Sequence, residues 1–134
     1  MKLATAGLLL LKDRKLLLAY SSNKQCFYLP GGKIDPGETA AQALCREIAE
    51  ELNIHVAENE LQWYTHISAP AYGEIPGTMM EQECFFIRSM ADPVASAEIG
   101  KIKYFTVADY LQQPNTAPGA IMILEQLKRD GFID

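Results

Sequence analysis

Three glutamates crowd one face of a predicted helix in the first half of the chain: Glu47, Glu50 and Glu51. At about 100° per residue, all three fall within an arc of about 100° around the helix axis. No lysine accompanies them between residues 40 and 52, and like charges at this spacing mildly destabilise a helix. The face is either a solvated surface or a set of oxygen ligands for a hard divalent cation. The second interpretation explains why the charges are left uncompensated.

One arginine is close enough in sequence to neutralise part of this charge. Arg46 can pair with Glu50 one turn further along the helix, or reach back to Glu38 in the preceding loop. That loop, GGKIDPGE, contains three glycines and a proline, a composition typical of backbone with unusual dihedral angles. Mg²⁺ is the physiological cation that such carboxylates would bind, and it commonly shares its coordination sphere with substrate phosphates. The residues therefore indicate metal-assisted phosphate chemistry.

The helix that carries these residues has clear boundaries in the sequence. Thr39 and Gln42 have the spacing of a capping box, which predicts the helix start. The helix should end near Leu52, because Asn53 can adopt the left-handed conformation that terminates helices. An apolar stripe on the same helix is predicted to pack on the core, and it consists of Ala41, Leu44, Ile48 and Leu52.

The elements around this helix indicate a sheet with helices beside it. Two near-continuous apolar runs, Leu3–Leu11 and Leu16–Ala19, flank a charged turn and predict a hairpin of two buried antiparallel strands. Further strands are predicted in the segments CFYLP, LQWYTHISAPA, MMEQECFFIR and KIKYFTV. A helical turn is predicted at ADYL, and a second long helix over Ala117–Asp130, closed by Gly131. Because helices and strands do not alternate regularly, the fold class is predicted to be α+β.

Length and charge restrict the classes of protein that remain. The 134 residues are enough for one domain, 1–134, and too few for two comfortable ones. A net charge of −5 argues against a stable nucleic-acid complex, because phosphate backbones attract basic surfaces. A protein of this charge that handles phosphates must import positive charge as metal ions. The apolar stretch LATAGLLLL is far shorter than the roughly 20 residues that span a bilayer, so no membrane association is expected.

Cysteine and histidine add no second site. Cys26, Cys45 and Cys84 lack the spacing of a zinc site or a disulfide framework, so a reducing cytoplasm is the expected location. Cys45 lies beside Arg46, but a small helix residue explains it better than a reactive thiol. The two histidines, His55 and His66, have no ligand-like partner spacing and are interpreted as structural.

The whole acidic segment resembles a known family signature. Gly32, Glu38 and the run from Arg46 to Ile54 follow the pattern GX5EX7REUXEEXGU of the Nudix box, over residues 32–54. Asn53 departs from it, because the family has glycine there. Asparagine tolerates positive φ better than most residues, so we expect the turn to survive. The resemblance implies the Nudix fold, an α/β/α sandwich with a mixed sheet between helices, in a small MutT-like member of the superfamily.

The resemblance also implies roles for the residues of the box. Nudix hydrolases cleave a nucleoside diphosphate linked to another group X, with Mg²⁺ or Mn²⁺. Glu50 and Glu51 would be the main metal ligands, and the carbonyl of Gly31 would complete the coordination sphere. Glu47 would be a further ligand or orient the attacking water. The residues implied to support the catalytic groups by fixing the loop against the helix are Arg46, Glu38 and Gly32.

Outside the box the candidates are less specific. Glu98 is the best candidate for a general base, although it can equally be a surface carboxylate, and the choice between Glu47 and Glu98 stays open. Glu81 and Glu83 alternate on one face of a predicted strand, either as an extra ligand or as a solvated edge. Asn115 is a candidate for reading a purine edge, as in MutT-type members, or simply part of a turn. Tyr28 could stack on a base or belong to the core.

Three functions remain open at this point. The first is a nucleoside triphosphate pyrophosphohydrolase, which releases a nucleoside monophosphate and pyrophosphate from a small-molecule nucleotide. The second is hydrolysis of ADP-ribose or a nucleotide sugar, suggested weakly by Pro70 and Tyr72 downstream of the box. The third is a catalytically inactive nucleotide sensor, which the intact box acids disfavour. The chain is expected to be a monomer or a homodimer.

Overall fold

The structure is a computed structural model, and it describes residues 1–88, 91–96 and 99–134. Within these ranges the chain forms eight strands and three α-helices. The strands are β1 (Lys2–Leu9), β2 (Leu11–Lys12), β3 (Lys15–Ser21), β4 (Cys26–Tyr28), β5 (Gly31–Lys33), β6 (Leu61–Pro70), β7 (Met79–Ile87) and β8 (Ile99–Phe105). The helices are α1 (Ala40–Leu52), α2 (Val107–Leu111) and α3 (Pro118–Arg129), with a single 3₁₀ turn at Glu58–Glu60.

The strands form two sheets of four. The first sheet has the order β5-β1-β7-β6, in which β1 and β7 run parallel and the other pairs are antiparallel. In the second sheet β3 is central, and it pairs antiparallel with β2, β4 and β8. One mixed sheet and one antiparallel sheet, with helices against them, confirm the predicted α+β class and the Nudix sandwich.

The predicted hairpin between the first two apolar runs is only partly correct. The turn exists, because Asp13 and Arg14 have φ of 51° and 59° and join β2 to β3. However, β1 leaves this hairpin at Leu10 and pairs with β5 and β7 in the other sheet. An apolar run buried on both faces carries no information about its hydrogen-bonding partner, and the sequence therefore could not separate β1 from β2.

Alternating side chains of the first strands serve two different cores. Leu8, Leu10 and Leu17 pack with the apolar stripe of α1. Leu9, Leu16 and Leu18 point the other way and pack with the buried face of α3, which includes Ile123 and Leu127. Because successive side chains of a strand point to opposite faces, both faces of these strands are buried and the sequence reads as continuous leucine. This arrangement places α1 and α3 on opposite sides of the strands.

Helix α1 has the ends that the sequence predicted. The Thr39 hydroxyl accepts from the Gln42 amide at 3.1 Å, and the Gln42 side chain accepts from the Thr39 amide at 2.9 Å. Asn53 adopts the left-handed conformation with φ 54° and ψ 36°, so the turn survives without the box glycine. Beyond it, the Ser96 amide donates to the carbonyl of Glu51 at 2.8 Å, which satisfies one of the open carbonyls of the helix end.

Helix α3 begins and ends differently. Pro118 occupies its first turn, and no side chain caps its N-terminus. At the other end the chain turns at Gly131, with φ 84°, as predicted. The Arg14 guanidinium then holds the terminal segment by donating to the carboxylate of Asp134 at 2.6 Å. Among the described residues, no helix has both the length and the apolar character needed to cross a membrane.

Candidate active site

A cavity of about 250 Å³ lies where β5 and the acidic helix meet the α3 side of the first sheet. The wall from α1 and β5 consists of Glu47, Glu51, Gly31, Gly32 and Lys33. The opposite wall, from β1, β7 and the start of α3, includes Thr5, Met80, Gln82, Ala117, Gly119 and Ala120. The remaining lining includes Lys24, Tyr28, Pro70, Tyr72 and Glu74. Box carboxylates and an uncharged wall therefore face the same space.

Arg46 holds the loop and the helix of this site together. Its guanidinium donates two hydrogen bonds to the Glu38 carboxylate, at 2.8 and 2.9 Å, and one to Glu47 at 2.8 Å. A further bond runs to the carbonyl of Lys33 at 3.1 Å, and the Asp35 carboxylate lies 3.3 Å away. The planar fork of arginine is suited to such bidentate contacts. Of the two sequence alternatives for Arg46, pairing with Glu38 is the one that forms.

This network changes the acidity of its members in opposite directions. The hydrogen bonds from Arg46, followed by the Asp35 amide, lower the pKa of Glu38 to about 2. Burial raises the pKa of Glu47, and the contact with Arg46 offsets only part of that rise. The hydrogen bond to Glu38 raises the pKa of Arg46, so the guanidinium stays charged. Glu38 therefore stays negatively charged and anchors Arg46. For Glu47, the contact with Arg46 compensates only part of the free energy that charging a buried carboxylate costs.

Replacing Glu38 with glutamine should make the stability of the protein less dependent on pH in acid. The folded pKa of Glu38 is about 2 and its ordinary value is 4.5, so its contribution is fully present above pH 4.5. That contribution is lost as the pH falls from 4.5 toward 2, because the unfolded chain then binds the proton more readily. The urea midpoint of Glu38→Gln should therefore lie below that of wild type at pH 7, with a gap that narrows in acid. A gap that widens as the pH falls contradicts this prediction.

Gly32 is the point where the loop touches a carboxylate of the helix. A β-carbon added at Gly32 would lie 2.6 Å from the Glu47 carboxyl carbon and 2.7 Å from its Oε1. The contact is with the end of a flexible side chain, so a larger residue would displace Glu47 rather than unfold β5. The small residue at this position therefore sets the place of the Glu47 carboxylate.

Replacing Gly32 with alanine should reduce kcat by about 10- to 100-fold, because a displacement of about 1 Å can cost that much in an active site. The melting temperature should change by only a few degrees, since the backbone of β5 is not blocked. Gly100→Ala is the matched control, because its β-carbon would lie 3.0 Å from the Ser22 hydroxyl on another part of the surface. Equal activity of the two variants contradicts a role for Gly32 in placing Glu47.

Several predicted residues do not reach the cavity. Glu81 and Glu83 lie outside its lining, and His66 contacts both carboxylates at 3.0 Å on an exposed patch of sheet. These contacts raise the pKa of His66, with the hydrogen bond to Glu81 as the larger cause. The side chain of Asn115 donates to the carbonyl of Gln25 at 2.9 Å, which fits the turn interpretation.

The remaining predicted residues have different outcomes. Tyr28, Pro70 and Tyr72 line the cavity, so the aromatic and the downstream candidates share the space of the box carboxylates. Glu98 lies outside the described residues. The thiol of Cys45 has a raised pKa because of burial and the nearby Glu58, in line with its interpretation as a small helix residue.

Comparison with known proteins decides the family. The family model described as the NUDIX domain matches residues 1–127. The chain belongs to the NUDIX domain family. The uncharacterized Nudix hydrolase YvcI of Bacillus subtilis is 28% identical over 128 residues, which cover 90% of this NUDIX chain and 77% of that protein.

Two further comparisons bear on activity and fold. The ADP-ribose pyrophosphatase of Methanocaldococcus jannaschii is 48% identical over 46 residues, 32% of this chain. The match spans only 27% of the length of that relative. The crystal structure of a MutT NUDIX hydrolase from Burkholderia pseudomallei superposes with a TM-score of 0.75, at 21% identity, over 95% of this chain and 98% of that one. This structural likeness supports the NUDIX fold.

NUDIX hydrolases generally use divalent cations, and the donors of this site suit one. Glu47 and Glu51 present carboxylate oxygens to the cavity, and the Glu51 carboxylate accepts from the Gly31 amide at 2.9 Å. Glu50 is exposed on the same helix. Across the described part of the chain, no three acidic, histidine or cysteine side chains converge on one point. The oxygen-only donor set of the NUDIX helix fits a hard cation.

Sequence reasoning missed five polar residues of this NUDIX cavity: Thr5, Lys24, Lys33, Glu74 and Gln82. The ammonium of Lys24 pairs with Glu74 at 3.2 Å and lies 5.5 Å from the centroid of the Tyr28 ring. Gln82 had a detectable signal, because strand alternation places it in phase with Met80 and Cys84. A polar residue on the buried phase of a strand needs a partner, and a cavity is one way to provide it.

Proposed function

We propose that this protein is a Mg²⁺-dependent hydrolase of nucleoside diphosphates linked to a group X, with nucleoside triphosphates as its substrates. The observation that supports the proposal most directly is that Glu47 and Glu51 line one cavity of about 250 Å³ together with an uncharged wall. The products are a nucleoside monophosphate and pyrophosphate. The cation is Mg²⁺, and Mn²⁺ can substitute for it.

Each box residue has a task in this proposal. Glu50, Glu51 and Glu47 hold the cation, together with the carbonyl of Gly31. When bound, the cation neutralises the diphosphate and lowers the pKa of the attacking water. Arg46 keeps Glu47 against Gly32, and Glu38 keeps Arg46 in place through its two hydrogen bonds.

Proton removal from the water falls to Glu47 or Glu98. Glu47 is supported by its position in the cavity and by the burial that raises its pKa, which makes its carboxylate a better proton acceptor. Glu98 is supported by the family resemblance of its segment. The Lys24 ammonium, which pairs with Glu74 and lines the cavity, is placed to meet phosphate oxygens.

A second candidate function is hydrolysis of ADP-ribose. Pro70 and Tyr72, the residues that suggested it in the sequence, do line the cavity. The relative from Methanocaldococcus jannaschii is named an ADP-ribose pyrophosphatase, and its similarity is confined to 46 residues. The triphosphate proposal is preferred because ADP-ribose carries a second ribose in place of the terminal phosphate, and the cavity of about 250 Å³ is small for that addition.

A substrate panel tests the proposal. The purified chain is incubated with Mg²⁺ and canonical or oxidised nucleoside triphosphates, ADP-ribose, nucleotide sugars or dinucleoside polyphosphates, and the products are separated by chromatography. Monophosphate plus pyrophosphate from a triphosphate supports the proposal. Turnover of ADP-ribose alone selects the second candidate. Nucleotide binding without any turnover identifies a sensor and overturns both hydrolase assignments.

A further inference from the structure

One buried polar side chain of the cavity, that of Gln82, takes no part in the proposed chemistry. Gln82 lies on β7 with only 7% of its surface exposed, and it lines the uncharged wall. Gly7 on the neighbouring strand makes room for it, because a β-carbon there would lie 3.0 Å from both Cδ and Nε2 of Gln82. The backbone of β1 and β7 thus accommodates a buried amide directed at the cavity.

The oxygen and the nitrogen of the Gln82 amide differ in their hydrogen-bonding contacts. Its Oε1 lies 3.9 Å from the Cys84 thiol, which can donate a weak hydrogen bond. In the described part of the chain its Nε2 donates no hydrogen bond, and because every fully buried side-chain nitrogen or oxygen there has a partner, this Nε2 keeps access to the cavity. A donor that reaches a largely enclosed cavity is usually satisfied there by a ligand or an ordered water. Gln82 therefore offers a free N–H donor to whatever occupies the cavity.

The start of α3 adds donors to the same wall. Gly119 and Ala120 line the cavity at the first turn of the helix. The amides of a first helical turn have no acceptor within the helix, and no side chain caps them here. The side chain of Met80 packs against this turn, since a β-carbon on Gly119 would lie 2.6 Å from the Met80 methyl. The uncharged wall is consequently rich in hydrogen-bond donors.

We propose that Gln82 is a specificity residue that selects nucleobases with an exocyclic oxygen, that is, 6-oxopurines and 4-oxopyrimidines, over their amino counterparts. This inference rests on the proposed function, because it places the base against the wall opposite the box carboxylates. A carbonyl oxygen accepts from the Gln82 Nε2 and from the first amides of α3. An amino group at the same position requires the amide to turn its Oε1 toward the cavity, which gives up the contact with the Cys84 thiol, and it still places donors against the amides of α3.

Matched pairs of nucleotides test this selectivity directly. Inosine and adenosine triphosphates differ only at the six-position edge, and uridine and cytidine triphosphates differ only at the four-position edge. The wild-type protein should show kcat/KM roughly tenfold higher for the oxo member of each pair, the effect of about one hydrogen bond left unmade. Equal values within both pairs, or preference for the amino members, overturn the proposal.

A variant assigns the selectivity to Gln82. Gln82→Met keeps the length of the side chain and removes its hydrogen bonds, so the ratio within each pair should fall toward one. Gln62→Met is the matched control, because Gln62 is exposed on β6, and its ratios should equal those of wild type. Should Gln82→Met not fold, the wild-type ratios alone decide. A folded Gln82→Met with wild-type ratios overturns the assignment.

Binding measurements separate this inference from the proposed function. Inosine and adenosine monophosphates are titrated into the wild-type chain by calorimetry, which needs no turnover. Tighter binding of inosine monophosphate, with no hydrolysis of any triphosphate, supports the inference and rejects the triphosphatase. Triphosphate hydrolysis with equal binding of the two monophosphates and equal kcat/KM values rejects the inference and leaves the proposed function standing.

Discussion

Replacing Glu51 with glutamine is expected to lower kcat by about 10³-fold while leaving the fold intact. Glutamine keeps an oxygen that can accept from the Gly31 amide, as Glu51 does at 2.9 Å, so the contact between β5 and α1 survives. It loses the negative charge, and a neutral amide is a poor ligand for a hard divalent cation. A bound cation stabilises the transition state of phosphoryl transfer by several kcal/mol, and each 1.4 kcal/mol or so corresponds to a tenfold change in rate.

The measurements are kcat on the best substrate of the panel, Mn²⁺ affinity by calorimetry, and the melting temperature. Rate and affinity should fall together, with the melting temperature within about 3 °C of wild type, which corresponds to less than roughly 1 kcal/mol. Glu125→Gln makes the same chemical change on the exposed surface of α3 and should alter none of the three. Undiminished turnover by Glu51→Gln rules out Glu51 as a metal ligand.

Replacing Gly31 with alanine is expected to destabilise the protein by about 3 kcal/mol or more, the largest effect on stability that we predict. Gly31 has φ 137°, a conformation that side-chain-bearing residues rarely adopt. In addition, a β-carbon at this position would lie 2.0 Å from the carbonyl oxygen of Ala6 on β1. Because backbone rather than a flexible side chain blocks the space, β5 must separate from β1 to relieve the clash.

Urea unfolding and thermal melting measure this effect, with an expected loss of about 10 °C in melting temperature. Gly37→Ala is the matched control, since Gly37 has φ 84° but no atom within 4 Å of an added β-carbon. Gly37→Ala should lower the free energy of unfolding only by what a positive φ costs a residue with a side chain, about 1–2 kcal/mol. Equal destabilisation by the two variants would show that the close approach of Gly31 to Ala6 does not matter.

The two glycines at the start of β5 therefore illustrate different uses of the same residue. Gly31 permits the backbone path and the contact with β1, whereas Gly32 leaves space for the carboxylate of Glu47. The sequence pattern marked both as part of one motif, and it could not tell them apart. Only the position of neighbouring atoms shows that one substitution should unfold the strand and the other should disturb the chemistry.

Local elements were the most predictable part of the fold. The capping box at Thr39 and the left-handed Asn53 were predicted correctly, because both depend on hydrogen bonds and dihedral angles within a few residues. The closing glycine of α3, Gly131, follows the same logic. Strand partners were less predictable. The hairpin expected between the first two apolar runs gives way to a β1 that pairs in parallel with β7, more than 70 residues away in sequence.

The candidate site likewise has a part that the sequence predicted and a part that only the structure shows. The box pattern over residues 32–54 indicated the family, and Glu47, Glu50 and Glu51 share a helix face because side chains three to four residues apart are neighbours. Gln82 and the start of α3 join them only through the pairing of β7 with β1. Conversely, Glu83 has the chemistry of a ligand, but its register places it beside His66 on an exposed face.

By itself, the sequence determined the acidic helix, its caps and its resemblance to a family with a phosphate chemistry. Each of these depends on residues close together in the chain, where helical geometry converts spacing directly into position. The tertiary structure decided which polar groups share the cavity, which residue Arg46 pairs with, and which glycine lies against neighbouring backbone. Those properties depend on strand pairing and on the approach of distant backbone segments, and a linear pattern contains no distance between such segments.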